Sequence, residues 1–133
     1  MSTTAHTAQT AQGDPKPLRL SLRVWGCYMM TVGALLFLVP NQLIGLFGFP
    51  DIEDNWIRVF GALILNLGLV YFPMARDLPA AFVRWCIYSR YLFFCFATVI
   101  VIADWLPAGL LVFGAWDALN ATWAWYGYRK ASL

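Results

Sequence analysis

Four long apolar runs, joined by short polar links, fill most of this 133-residue chain and constrain it more than any other feature. The runs cover about 22–48, 56–75, 81–103 and 106–128. Each supplies the roughly 20 residues that, at about 1.5 Å per residue, cross a hydrocarbon core of about 30 Å. Hydrocarbon offers backbone amides no partner, so runs this long read as helices rather than strands. The expectation is an all-α integral membrane protein, an antiparallel bundle of four transmembrane helices. Pro40 interrupts the first run, and NQLIGLFGF after it reads as a kinked helix end or a short interfacial helix. This run has the basic front of a signal peptide, but no small-x-small cleavage site follows and the apolar stretch is long for such a segment, so it reads as retained.

Composition agrees. Charged residues make up 12% of the chain, about half the share of a soluble domain, and mean hydropathy is +0.64. A net charge of +2 is too weak for a nucleic-acid footprint, so no nucleic acid is expected as a partner. Residues 1–17 are rich in Thr, Ala and Gln and lack apolar periodicity. They read as a disordered cytoplasmic tail, which holds the lone histidine, His6, and residues 18–133 as the membrane domain. Cys27, Cys86 and Cys95 all fall within apolar runs. Their odd count and spacing argue against disulfides or a metal site, so they read as small apolar fillers.

Charge sets the expected orientation. Lys16, Arg19 and Arg23 precede the first run, Arg76 and Arg84 flank the second link, and Arg129 and Lys130 follow the fourth run. Asp51, Glu53, Asp54 and Asp104 occupy the other two links. The positive-inside rule places both termini in the cytoplasm; in a bacterium the membrane would be the inner one. Trp25, Trp85, Trp123, Trp125, Tyr126 and Tyr128 then read as an inner aromatic belt, with Trp56 and Trp105 at the outer interface. Trp116 lies mid-span, against a neighbouring helix or lipid.

An ionisable residue inside a membrane run is a candidate functional group, because a charge there costs about 2.5–3.5 kcal/mol on insertion scales. Arg90 and Asp117 are two such residues, at similar depth on the antiparallel third and fourth runs, and the expectation is that they form an ion pair. Asn66, Asn120 and Thr31 fall near the same level, so all four runs contribute to one polar layer. This layer is either structural glue between helices or the lining of a cavity that takes a polar head, a proton or a quinone-like ring. A second expected cluster lies at the outer surface, where Arg58 reaches Asp54 or Asp104. Gly26 and Gly33, and likewise Gly61 and Gly68, are spaced by seven, which puts each pair on one helix face and predicts close packing of the first two runs.

No HExxH-type metal site, His-based triad or Gly-rich phosphate loop is present. No metal or cofactor and no catalytic residue is therefore assigned, and the reading leans away from an enzyme. WIRVFGALILNLGLVYFPMAR (56–76), RW…YSRY (84–91) and GAWDALNATWAWYGYR (114–129) follow an order that resembles small four-span bacterial membrane proteins without assigned function. The plan is also similar to the ergosterol-biosynthesis scaffold family, whose R–x–F–G opening has counterparts in Arg58 and Gly61. That resemblance implies tethering of membrane enzymes and transfers no catalytic residue.

Three functions follow as expectations. The first is a non-enzymatic scaffold, assembly factor or accessory subunit, with membrane lipids and another membrane protein or itself as partners. The second is a small transporter. The third is a lipid- or quinone-binding enzyme using Arg90, Asp117, Asn66 and Asn120.

Overall fold

The computed structural model describes residues 13–132, and its elements are helices throughout, with no strand among the described residues. The expected tail lies mostly outside these residues, His6 included; 13–15 are non-helical and the first helix begins at Lys16. Helix α1 spans Lys16–Leu38, α2 Pro40–Gly45, α3 Trp56–Asp77, α4 Ala80–Ile102 and α5 Leu110–Ala131. Three of them, α1, α3 and α4, are long and apolar enough to cross a membrane.

Local sequence sets the ends. Pro40 has no N–H to donate and disfavours helical geometry in the residue before it, so Val39 leaves the helix (φ −137°, ψ 60°) and α1 stops. Pro40 then starts the separate short helix α2, where a proline in the first turn costs nothing. Gly48 takes a positive φ of 83°, which glycine adopts without a Cβ penalty, as the chain turns out of α2. The link from α3 to α4 is two residues: Leu78 in the left-handed conformation (φ 49°) and the extended Pro79. Helix α5 begins at Leu110, later than its apolar run. Asp104 (φ 60°) closes α4 with a paired turn, its N–H donating to the Val101 carbonyl and that of Trp105 to the Ile100 carbonyl, each at 3.1 Å.

The four long helices pack side by side, α1 lying against α3 and α5, and α5 against α4. Gly13 abuts the Lys130 backbone, so both ends of the described chain meet at one end of the molecule, beside the 78–79 link. At the opposite end Gly109 abuts the Phe47 backbone, and the Phe47 and Phe113 rings pack at a tilt of 46° with centroids 4.4 Å apart. The dense apolar core sits at the terminal end, where Leu18, Leu22, Val83, Ile87, Ala121 and Ala124 are fully buried.

The α1–α3 contact is made backbone to backbone. Gly26 faces Gly68 and Gly33 faces Gly61 in one continuous antiparallel register. A Cβ added at Gly33 would lie 2.5 Å from the Leu65 amide nitrogen and 2.6 Å from the Gly61 carbonyl oxygen. An arginine closes each end of this pair. The Arg19 guanidinium donates to the Ala75 and Arg76 carbonyls (3.1 and 3.4 Å) at the C-terminus of α3. Arg58 donates to the Phe37 carbonyl and to that of Leu38 (3.2 Å) at the C-terminus of α1. Each cation thus satisfies carbonyls left open by a helix end and sits at the negative pole of that helix.

This corrects the expected outer ion pair. Arg58 meets neither Asp54 nor Asp104; its Nε donates to Asn55 Oδ1 at 3.3 Å, and Arg76–Asp77 (3.0 Å) is the one ion pair among the described residues. The break at Val39 offers Arg58 carbonyls closer than any carboxylate. Helix separation at the glycines makes a direct prediction. Gly33→Ala and Gly61→Ala should each destabilise the purified protein by about 1–3 kcal/mol, because a methyl group must push backbone apart. Gly45→Ala, which meets open space, should stay within about 0.5 kcal/mol of the parent. Thermal unfolding midpoints in one detergent check both.

Candidate functional site

Arg90 is the one charged side chain among the buried residues described, 3% exposed, and side chains from all four long helices surround it. It lies in α4, whose first half also supplies Cys86, one turn earlier. A helical side chain tilts toward its own N-terminus, and α4 begins at the terminal end of the molecule. The Arg90 guanidinium therefore reaches back: Nη2 donates to Cys86 Sγ at 3.0 Å and Nη1 to Asn120 Oδ1 on α5. The Trp25 ring of α1 lies under it, Cζ standing 4.2 Å from the ring centroid, and the Tyr71 ring of α3 lies at 5.4 Å. A desolvated guanidinium over an aromatic face gains about 2 kcal/mol from the ring quadrupole. Tyr71 Oη and Cys86 Sγ are hydrogen-bonded at 3.0 Å, closing a ring of contacts. Nε is left without a partner among the described residues.

The arrangement departs from the expected polar layer in three places. Asp117 does not pair with Arg90. Helix α5 runs antiparallel to α4, so Asn120, one turn closer to the terminal end, is the residue the tilted arginine meets, while Asp117 is half-buried and beyond ion-pair distance. Asn66 and Thr31 are both exposed. The glycine contact dictates this: at about 100° per residue, Asn66 lies about 140° around α3 from Gly61, and Thr31 about 160° around α1 from Gly33. Thr31 satisfies its hydroxyl by donating to the Cys27 carbonyl of its own helix at 2.8 Å.

Three participants escaped the sequence reading. Trp25 is buried beside the guanidinium, whereas Trp56, Trp85 and Trp105 are widely exposed. Cys86 is a hydrogen-bonding partner rather than an inert filler. Tyr71 is the third. The available signal was helical spacing, since Trp25 lies on the same side of α1 as the buried Leu18 and Leu22, and Cys86 is four residues before Arg90. Trp116 leans on Tyr28 (ring centroids 5.8 Å), which in turn packs on Trp25 at 5.1 Å.

Chemically, the cluster is donor-rich and shielded, and four of its five residues touch the guanidinium directly. It contains no histidine or carboxylate, and no group of three or more metal-ligating side chains occurs among the described residues. No protein-family model, curated protein or solved structure matches the chain.

If Asn120 holds the buried cation, Asn120→Leu should destabilise the protein by about 1–3 kcal/mol, the cost of leaving a buried donor unmatched. Asp117→Asn should cost less. The double replacement Arg90→Met with Asn120→Leu should recover much of the loss, since removing both polar partners is cheaper than removing one. Unfolding midpoints of the three variants check the order.

Proposed function

We propose that this chain is a four-span integral membrane protein with both termini in the cytoplasm, acting as a non-enzymatic scaffold or accessory subunit for another protein of the same membrane. The observation that carries the reading is the enclosure of Arg90. Its charge is shared among Trp25, Tyr71, Cys86 and Asn120, one side chain from each pairing helix and one from its own. A site for a polar head or ring would present that guanidinium to the ligand, whereas here the protein's own side chains occupy it. The transporter reading relies on an accessible membrane carboxylate, and the enzyme reading on Arg90, Asp117, Asn66 and Asn120 converging; of these only Arg90 and Asn120 are joined.

Helix α5 supports the fourth span. It has 22 residues, as many as α3, and packs along α1 and α4. If those helices cross the membrane, α5 lies at the same depth. Its polar residues are largely provided for: Asn120 accepts from Arg90, and Thr122 Oγ1 bonds Tyr91 Oη at 2.7 Å across to α4. The basic residues at the terminal end and Asp51, Glu53, Asp54 and Asp104 at the other support cytoplasmic termini.

Two experiments test this. With Ser132→Cys and Asn55→Cys variants in intact cells, a membrane-impermeant maleimide should label Asn55→Cys directly and Ser132→Cys only after permeabilisation; the reverse pattern would invert the topology. Purification from native membrane in a gentle detergent should bring down a different membrane protein in fixed ratio. Recovery without one, together with an enriched lipid or quinone, would overturn the scaffold reading in favour of ligand handling.

A further inference from the structure

Asn66 sits where a polar side chain is hardest to accommodate. It is central in the 22-residue α3, about 15 Å along the axis from either end, and it is exposed. On the membrane reading above, on which this inference rests, its short side chain cannot reach an interface. Its neighbours on the outward face are apolar; Val59, Leu63, Leu69 and Val70 are all widely exposed.

The serine and threonine hydroxyls of the long helices are satisfied within the chain, Ser21 by the Leu18 carbonyl. Thr31, Ser89 and Thr98 each donate to a carbonyl of their own helix, and Tyr91 bonds Thr122. The Asn66 amide, with two donor hydrogens and an acceptor oxygen, finds no partner among the described residues. Lipid chains offer neither donor nor acceptor, so a lone amide in hydrocarbon is costly.

We infer that the outward face of α3, centred on Asn66, is a contact between two copies of this chain, closed by reciprocal Asn66–Asn66 hydrogen bonds. An amide complements another amide, because each offers what the other lacks. Two copies inserted in the same orientation are related by a two-fold axis along the membrane normal, which brings Asn66 opposite itself at equal depth with no further adjustment. The flanking pattern suits a parallel helix pair. Val59, Asn66 and Pro73 recur every seven residues, with Ala62 and Leu69 three residues after the first two. That is the a/d seam of a left-handed helix pair, in which a single asparagine at an a position selects register and copy number. The seam lies well away from the Gly61–Gly68 face that α1 occupies, so the second copy displaces nothing.

The test uses the full chain in lipid vesicles, with the exposed Cys27 and Cys95 changed to Ala and the buried Cys86 kept. A single reporter cysteine is then placed on α3 and oxidised. Val59→Cys, on the seam, should form a disulfide-linked dimer, and Leu67→Cys, exposed on another face, should not. Adding Asn66→Leu to Val59→Cys should weaken association about three- to twentyfold, measured by diluting the protein in lipid, while Asn66→Gln should largely retain it. Equal cross-linking at Leu67→Cys, no effect of Asn66→Leu, or an adduct with a different protein in native membrane would overturn the contact. A chain washed from the membrane by alkaline carbonate would remove this contact and the membrane reading together. A chain that resists the wash but fails the cysteine test would remove the contact alone.

Discussion

Backbone contact at two glycine pairs is the constraint on which the rest of this architecture depends. Because Gly26 meets Gly68 and Gly33 meets Gly61, the rotations of α1 and α3 about their own axes are set to within the width of a side chain. Rotation then sorts every other residue on those helices. Trp25 and Tyr71 turn toward the interior, and Thr31 and Asn66 turn away from it. Glycine is a poor helix former, costing about 1 kcal/mol relative to alanine in a helix interior. Four of them at this spacing are explained by the close approach they permit.

The buried guanidinium is a second organising element, different in kind. Glycine contacts are short-ranged and join two helices, whereas a cation at the centre engages four. Its stabilisation comes from an aromatic face, an amide oxygen and a sulfur rather than from a carboxylate. Neutral partners hold a charge less tightly than an anion would. They also avoid placing a second ion in a low-dielectric interior, where the cost of desolvation can exceed the attraction gained. Asp117, standing one turn away and half-buried, shows that an acid was within reach of the helix and that the side-chain direction of α4 passed it by.

Much of the fold was legible because hydropathy and proline write helix ends directly. The boundaries near 56, 80 and 102 follow from composition, and the break before Pro40 from the chemistry of proline. The glycine contact was legible from spacing alone. The Arg90 cluster was legible only in part. Depth along a helix can be counted, and it placed Arg90 and Asn120 at one level. Depth without rotation cannot tell an outward residue such as Asn66 from an inward one such as Tyr71, and of the two only Asn66 enters the expected layer. The glycine spacing combined with the helical period turns Asn66 and Thr31 outward from the sequence alone. The roles of Cys86 and Trp25 needed the tilt of the arginine and the neighbour across the helix interface, and neither is local information. Arg58 misled for a related reason. Helix periodicity favoured a carboxylate one turn away, while the strongest acceptors were carbonyls freed by a proline on a different helix.

The reciprocal arginine closures of α1 and α3 bear on the order in which this protein comes together. That pair is joined along its middle by glycines and at both ends by Arg19 and Arg58, using residues no later in the chain than Asp77. Every residue of this contact therefore precedes α4 in the chain, so the pair needs nothing from the later helices to close. Trp25 and Tyr71, the two rings that Arg90 meets, both belong to it. The cation on α4 meets a surface built by that pair, and Asn120 on α5 closes the cluster from the remaining side. The charge on α4 is thus met by side chains from every other long helix.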